Sequence, residues 1–219
     1  MLANSYLLKA NRQKLIMNKL KLHHFFLIGI AVIVIDQIIK MTIHLNMVEH
    51  TGFKVLGMDW LQIFYVTNPG MAFGMKLGGA YGKIILTVFR IVAVSAIGYY
   101  MAQLYKKQAA VGLQICIALV FGGAIGNLVD SLFYGLFFPE LIADGAPFAF
   151  LHGKVVDMFF FDIYQGTVNL PLIGNYDLWL WPIFNFADAS IFVSVIVILL
   201  FQKKFFGEQL EESNSQSGL

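Results

Sequence analysis

Four stretches of this sequence, near residues 24–44, 82–104, 109–132 and 180–202, stay apolar for the roughly 20 residues that a helix needs to cross a bilayer. No other feature limits the fold as severely. In hydrocarbon every backbone amide must find its partner inside the protein, which leaves helices or a closed barrel. Charged residues make up 13% of the 219, about half the share in an ordinary soluble domain, so a soluble fold is excluded. The expectation is an all-α membrane protein with four transmembrane helices, in one domain.

The distribution of Lys and Arg orients the spans. Lys9, Arg12, Lys14, Lys19 and Lys21 precede the first, Lys106 and Lys107 fill the short turn between the second and third, and Lys203 and Lys204 follow the fourth. That puts nine of the fifteen on one side, while Lys40, Lys54, Lys76, Lys83 and Lys154 lie toward the other. Positive charge marks the cytoplasmic side. Residues 1–23 are then a basic cytoplasmic segment, 24–204 the four-helix membrane domain, and 205–219 a disordered cytoplasmic tail, with loops 45–81 and 133–179 outside. Asp36 and Lys40 interrupt the first apolar run and no small-residue cleavage site follows it, which reads as an uncleaved signal anchor. In the first outer loop, Trp60-Leu-Gln-Ile-Phe-Tyr-Val66 alternates as a strand does and stops at Asn68-Pro69-Gly70, so a small sheet at the membrane surface is expected. Trp60, Trp179 and Trp181 suit an outer aromatic belt.

Polar residues in the spans fall at one depth. Asp36 and Lys40 share a helical face in the outer half of span one, where the plain structural reading is a salt bridge that offsets its own burial. Asn127 and Asp130 share a face at the outer end of span three, after the small-residue run Gly122-Gly-Ala-Ile-Gly126 that favours close helix packing. Asn185 and Asp188 do so at the start of span four, where a carboxylate also suits the helix dipole. Asp157 and Asp162 are five apart, so only one of them enters a site shared with Asp188. The residues leave that choice open. Asn68 joins the same boundary, and Arg90 in span two has no assigned partner. Intramembrane carboxylates are costly and mark function, and two that are close together can share a proton near neutral pH.

Five motifs stand in a familiar order: Asp36-Gln-Ile-Ile-Lys40, Asn68-Pro-Gly-Met-Ala-Phe-Gly74, Gly122-Gly-Ala-Ile-Gly-Asn-Leu-Val-Asp130, Val155-Val-Asp157 and Phe184-Asn-Phe-Ala-Asp188. In this the chain resembles the lipoprotein signal peptidase family, also called signal peptidase II, over about residues 25–202. The resemblance implies an aspartyl endopeptidase of the bacterial inner membrane that removes the signal peptide of a diacylglyceryl-modified prolipoprotein, cutting before the lipidated cysteine. It implies catalytic roles for Asp157 and Asp188, and supporting or substrate-binding roles for Asp36, Lys40, Asn68, Gly70, Ala72, Phe73, Asn127, Asp130 and Asn185. It further implies an extracytoplasmic β-cradle from the first outer loop. The chain departs from the family pattern in having Ser131 where arginine is usual, and in longer stretches near 131–154 and 163–178.

Five histidines and the single Cys116 form no metal-binding motif, so no metal or organic cofactor is expected. A net charge of +2 gives no reason to expect nucleic acid, and a monomer in contact with membrane lipids is expected. The rival reading is a small transporter or proton relay. It calls for acids spread over membrane depth or repeat symmetry, and neither is visible. A presenilin-type or prepilin-type protease calls for Gly-x-Gly-Asp, which the chain lacks.

Overall fold

The computed structural model describes residues 20–69, 81–162, 165–170, 174–179 and 183–206, the two segments 165–170 and 174–179 by their backbone alone. Gly70, Ala72 and Phe73, the basic residues before Leu20, the tail from residue 207, and the side chains of Trp179 and Trp181 lie outside the described residues.

Three helices are long and apolar enough to cross a membrane. Helix α1 is Leu22–Asn46 and α2 is Gly82–Lys106. Helix α3, Val111–Val129, continues through a π-turn, Asp130–Tyr134, and a short turn, Gly135–Phe137. Helix α4, Phe186–Leu200, is shorter, at 15 residues. Their exposed faces carry Leu27, Ile30 and Ile38 on α1, Ile85, Phe89 and Val92 on α2, and Phe192, Val193 and Leu199 on α4, as hydrocarbon-facing surfaces require.

The fourth span starts six residues later than the apolar run suggests. Phe184 forms an antiparallel bridge with Phe159, and Asn185 takes extended backbone angles as the helix N-cap. Hydropathy does not distinguish a strand-like Phe from a helical one, but the cap does. At about 1.5 Å per residue, α4 rises only about 22 Å.

The fold is mostly helical rather than all-α. Strands β1 (Gly52–Lys54), β2 (Leu61–Asn68) and β3 (Val155–Phe161) form an antiparallel sheet in that order. The expected cradle therefore draws its third strand from the second loop, with Val66 opposite Asp157 and Asn68 opposite Val155. A separate hairpin, β4 (Gln165–Leu170) with β5 (Gly174–Trp179), occupies the long stretch after β3.

Helix α3 lies at the centre and packs on α1, α2 and α4. A Cβ on Gly122 would sit 2.6 Å from the Gly29 carbonyl oxygen of α1, and one on Gly123 would sit 2.5 Å from the Ala187 carbonyl oxygen of α4. Only glycine allows both approaches. At the strand-bearing end, Tyr65, Tyr134, Leu141, Val156 and Met158 form a buried apolar cluster that fixes the sheet to the end of α3. Val156 and Met158 point into that cluster, so Asp157 between them points to the opposite face of β3.

Candidate active site

Lys40 is wholly buried, and its ammonium has three donors. They reach Asp36 Oδ2 at 2.8 Å, Asp130 Oδ2 at 2.7 Å and Asn127 Oδ1 at 2.9 Å. The remaining oxygens are occupied too. Asp36 Oδ1 accepts from the Ala187 amide at 2.9 Å, and Gln37 Nε2 donates to Asp130 Oδ1 at 2.8 Å. Gly126 makes room for this, since a Cβ there would lie 2.6 Å from Asp36 Oδ2. Buried charges are tolerated when paired and hydrogen-bonded in this way, and breaking such a group by removing one partner costs about 3–5 kcal/mol.

Two asparagines carry this order to the other aspartates. Lys40 can only donate, so the Asn127 oxygen must face it and the Asn127 Nδ2 must face away. That nitrogen donates to Asp188 Oδ1 at 2.7 Å. Asn185 is oriented in the same manner. Its Oδ1 accepts the Asp188 amide at 2.9 Å, in a cap that the Asp188 carboxylate returns to the Asn185 amide at 3.4 Å. Its Nδ2 is then free to donate to Asp157 Oδ1 at 2.6 Å and to Asn127 Oδ1 at 3.0 Å. Asn68 on β2 also hydrogen-bonds the Asp157 side chain. Strand β3, helix α4 and helix α3 thus meet at Asp157 and Asp188, which no lysine or arginine contacts directly among the described residues.

Burial pushes the Asp157 carboxyl up to about 7, and the nearby Asp188 charge adds to this, while the hydrogen bonds from Asn185 and Asn68 and the Lys40 charge oppose it. Neutral amides lower a carboxyl less than a salt bridge does, so Asp157 keeps its proton up to near-neutral pH. Asp162 lies at the end of β3 on the opposite face from Asp157, with its amide donating to the Trp60 carbonyl at 2.9 Å. Among the described residues no group of His, Cys, Asp or Glu has the arrangement of a metal site.

The structure brings together Asp36, Lys40, Asn68, Asn127, Asp130, Asp157, Asn185 and Asp188. Sequence reasoning missed Gln37, which binds Asp36 at 3.2 Å, the Gly126 carbonyl at 3.2 Å and Asp130, and takes a hydrogen bond from the Tyr134 hydroxyl at 3.0 Å. Its signal was its place between Asp36 and Lys40. Ser131 also went unassigned. Its hydroxyl receives Arg90 Nη1 at 2.5 Å and donates to the Asn127 carbonyl at 2.9 Å.

The sequence matches the family model for signal peptidase (SPase) II over residues 28–204. The chain belongs to the signal peptidase II family. It is 37% identical over 185 residues to the lipoprotein signal peptidase of Amoebophilus asiaticus, covering 82% of this chain and 78% of that one. It is 37% identical over 183 residues to that of Porphyromonas gingivalis, covering 78% and 79%. It is 32% identical over 182 residues to that of Chlorobium phaeobacteroides strain BS1, covering 83% and 97%. A bacterial membrane enzyme solved by the in meso method at 1.9 Å is similar in structure, with a TM-score of 0.56 and 26% identity, over 81% of this chain and 91% of that one. Signal peptidase II is an aspartic peptidase, and this chain is a multi-pass membrane enzyme of that kind.

Proposed function

We propose that Asp157 and Asp188 are the catalytic pair, and that they cut a diacylglyceryl-modified prolipoprotein just before its lipidated cysteine. One observation carries this reading: two carboxylates on β3 and α4 converge under the amides of Asn185 and Asn127, with Asp157 held protonated up to about pH 7. In the singly protonated pair, the ionised carboxylate takes a proton from water and the resulting hydroxide attacks the scissile carbonyl. The protonated one donates a hydrogen bond to the carbonyl oxygen. When the tetrahedral intermediate collapses, the C–N bond breaks and the leaving amine receives a proton from the pair. Asn68, Asn127 and Asn185 hold the pair in register without adding charge in a low-dielectric place.

The site lies at the strand-bearing end of the bundle, which the Lys and Arg asymmetry places on the periplasmic side with both termini in the cytoplasm. A substrate lipid can remain among apolar side chains while the peptide reaches the aspartates. Each buried CH₂ contributes about 0.8 kcal/mol to holding it there.

The test uses purified enzyme and one prolipoprotein with and without its diacylglyceryl group. Cleavage is expected only of the lipidated form. Equal cleavage of both would remove lipid recognition from the mechanism, and cleavage by Asp157→Asn would remove that residue from the pair.

A further inference from the structure

Arg90 and Lys83 project from α2 toward the end of α3. Lys83, Thr87 and Arg90 share one face of α2, at spacings of four and three. Thr87 Oγ1 donates to the Leu151 carbonyl at 2.8 Å and fixes the 138–154 connection against that face. Arg90 Nη1 and Lys83 Nζ lie 2.5 Å and 3.4 Å from the Ser131 hydroxyl oxygen. A hydroxyl has one proton and two lone pairs. The proton goes to the Asn127 carbonyl at 2.9 Å, so both lone pairs face the α2 cations and Ser131 is saturated. Among the described residues, neither Arg90 nor Lys83 has a carboxylate within ion-pair distance.

A guanidinium in a membrane span is costly and calls for compensation. The chain has two arginines, Arg12 and Arg90, and only Arg90 lies in an apolar span. The charged groups that act on Arg90 are Asp130 from the π-turn, Asp188 from α4, Asp157 from β3 and, with like charge, Lys83 from α2. With the aspartate pair singly protonated, Asp36, Asp130 and the pair bring three negative charges. Lys40 offsets one of them and is fully used by its three partners. The permanent charge of Arg90 offsets a second, and the Lys83 amine stands beside it for the third. Ser131 occupies the position where the family pattern has arginine, and a guanidinium reaches that position from the neighbouring helix instead.

Resting on the aspartic-peptidase reading above, we infer that Arg90 is a positioning residue: held by Ser131, it supplies from α2 the positive charge that keeps the Asp157/Asp188 pair in its singly protonated state. Arg90 touches neither aspartate. It acts through the field and through the Ser131–Asn127 contact, one helical turn from the Asn127 bond to Asp188.

The experiment compares purified wild type, Arg90→Met, Arg90→Gln, Arg90→Lys and the double variant Arg90→Met/Ser131→Arg. Each is assayed on diacylated prolipoprotein from about pH 5 to about pH 9, with thermal melting followed in parallel. Wild-type turnover, with none by Asp157→Asn, first secures the reading on which the inference rests. If wild type does not turn over, that reading falls and takes the inference with it. Loss of the charge in Met or Gln is expected to lower kcat about tenfold or more with little change in KM. It should also move the pH–rate profile up by about one unit, because a missing cation makes each proton harder to lose. Arg90→Lys should keep the wild-type profile, and Ser131→Arg should restore the profile of Arg90→Met. Should Met misfold, the Gln and Lys variants decide alone. A wild-type profile in Gln, or equal loss in Gln and Lys with the profile unmoved, would reduce Arg90 to packing and overturn the inference.

Discussion

Two pairs of aspartates lie side by side in this enzyme, and they are held by different kinds of donor. Asp36 and Asp130 clamp an ammonium, and their remaining oxygens are met by the Ala187 amide and by Gln37. Asp157 and Asp188 are met by neutral amides from Asn68, Asn127 and Asn185. The first pair shares one buried ammonium between its two carboxylates. In the second, Asp157 is pushed up to about 7 by burial and by the nearby Asp188 charge, with neutral amides rather than a salt bridge to oppose it. On the proposal that Asp157 and Asp188 are catalytic, what separates them from the structural pair is the charge of their donors. Asn127 touches both worlds, with its oxygen on Lys40 and its nitrogen on Asp188.

The sharpest way to break this contrast is to remove the acid from the reactive pair. Asp157→Asn and Asp188→Asn should each lower kcat by about 10³-fold or more, with melting temperature held or raised, since a crowded charge is lost. Appreciable turnover by either folded variant would end its assignment. The structural pair should fail differently. Lys40→Met leaves Asp36 and Asp130 buried without a counter-charge and should destabilise the fold by about 3–5 kcal/mol. A Lys40→Met protein as stable as wild type would show that the clamp is dispensable. Asn127→Leu keeps the branching at Cγ but cuts the link between the pairs, and a loss of about 10²-fold in kcat is expected. If stability falls and the rate per folded molecule does not, Asn127 belongs with the clamp alone.

The pH profile tests the same difference with no mutation. Asp157 is raised to about 7, so the pair loses its shared proton as pH rises through that value, and the rate should fall on the alkaline side with a midpoint near 7. The stability consequence has the same sign. An unfolded Asp deprotonates near 4 while the folded one keeps its proton, so this group's contribution to stability declines between about pH 4 and about pH 7 and is flat above. An alkaline limb above about pH 9 would place the working proton elsewhere. The smallest effect is expected at Asp162→Asn, which alters the opposite face of β3 and should leave activity within about twofold.

The sequence reveals most where the physics is local. Apolar runs near 24–44 and 82–104 became Leu22–Asn46 and Gly82–Lys106, because the length of a span depends on its own residues. Asp36 and Lys40, four apart, were legible as a salt bridge for the same reason. Partners that come from distant segments were not legible. Nothing near Lys40 announces Asp130, ninety positions on, and nothing near Val155 announces a strand that pairs with residues 61–68. Arg90 is the clearest case, since Ser131 becomes informative only when α2 and α3 lie together. The start of α4 was misread because Phe184 is apolar in either conformation, and only its bridge to Phe159 decides.

The Gly123 surface has a consequence for the birth of the enzyme. That face of α3 is shaped for the Ala187 backbone, and α4 is the last of the four described membrane helices in the sequence. The first three helices carry Lys40, Asp36, Asn127 and Asp130, so the ammonium can meet its partners before α4 adds the Ala187 amide. The two proposed catalytic carboxylates, Asp157 and Asp188, both follow these three helices in the sequence. A nascent protein built in this order lacks the proposed catalytic pair while its first three helices insert among other secretory precursors, and gains it only once β3 and α4 have followed them.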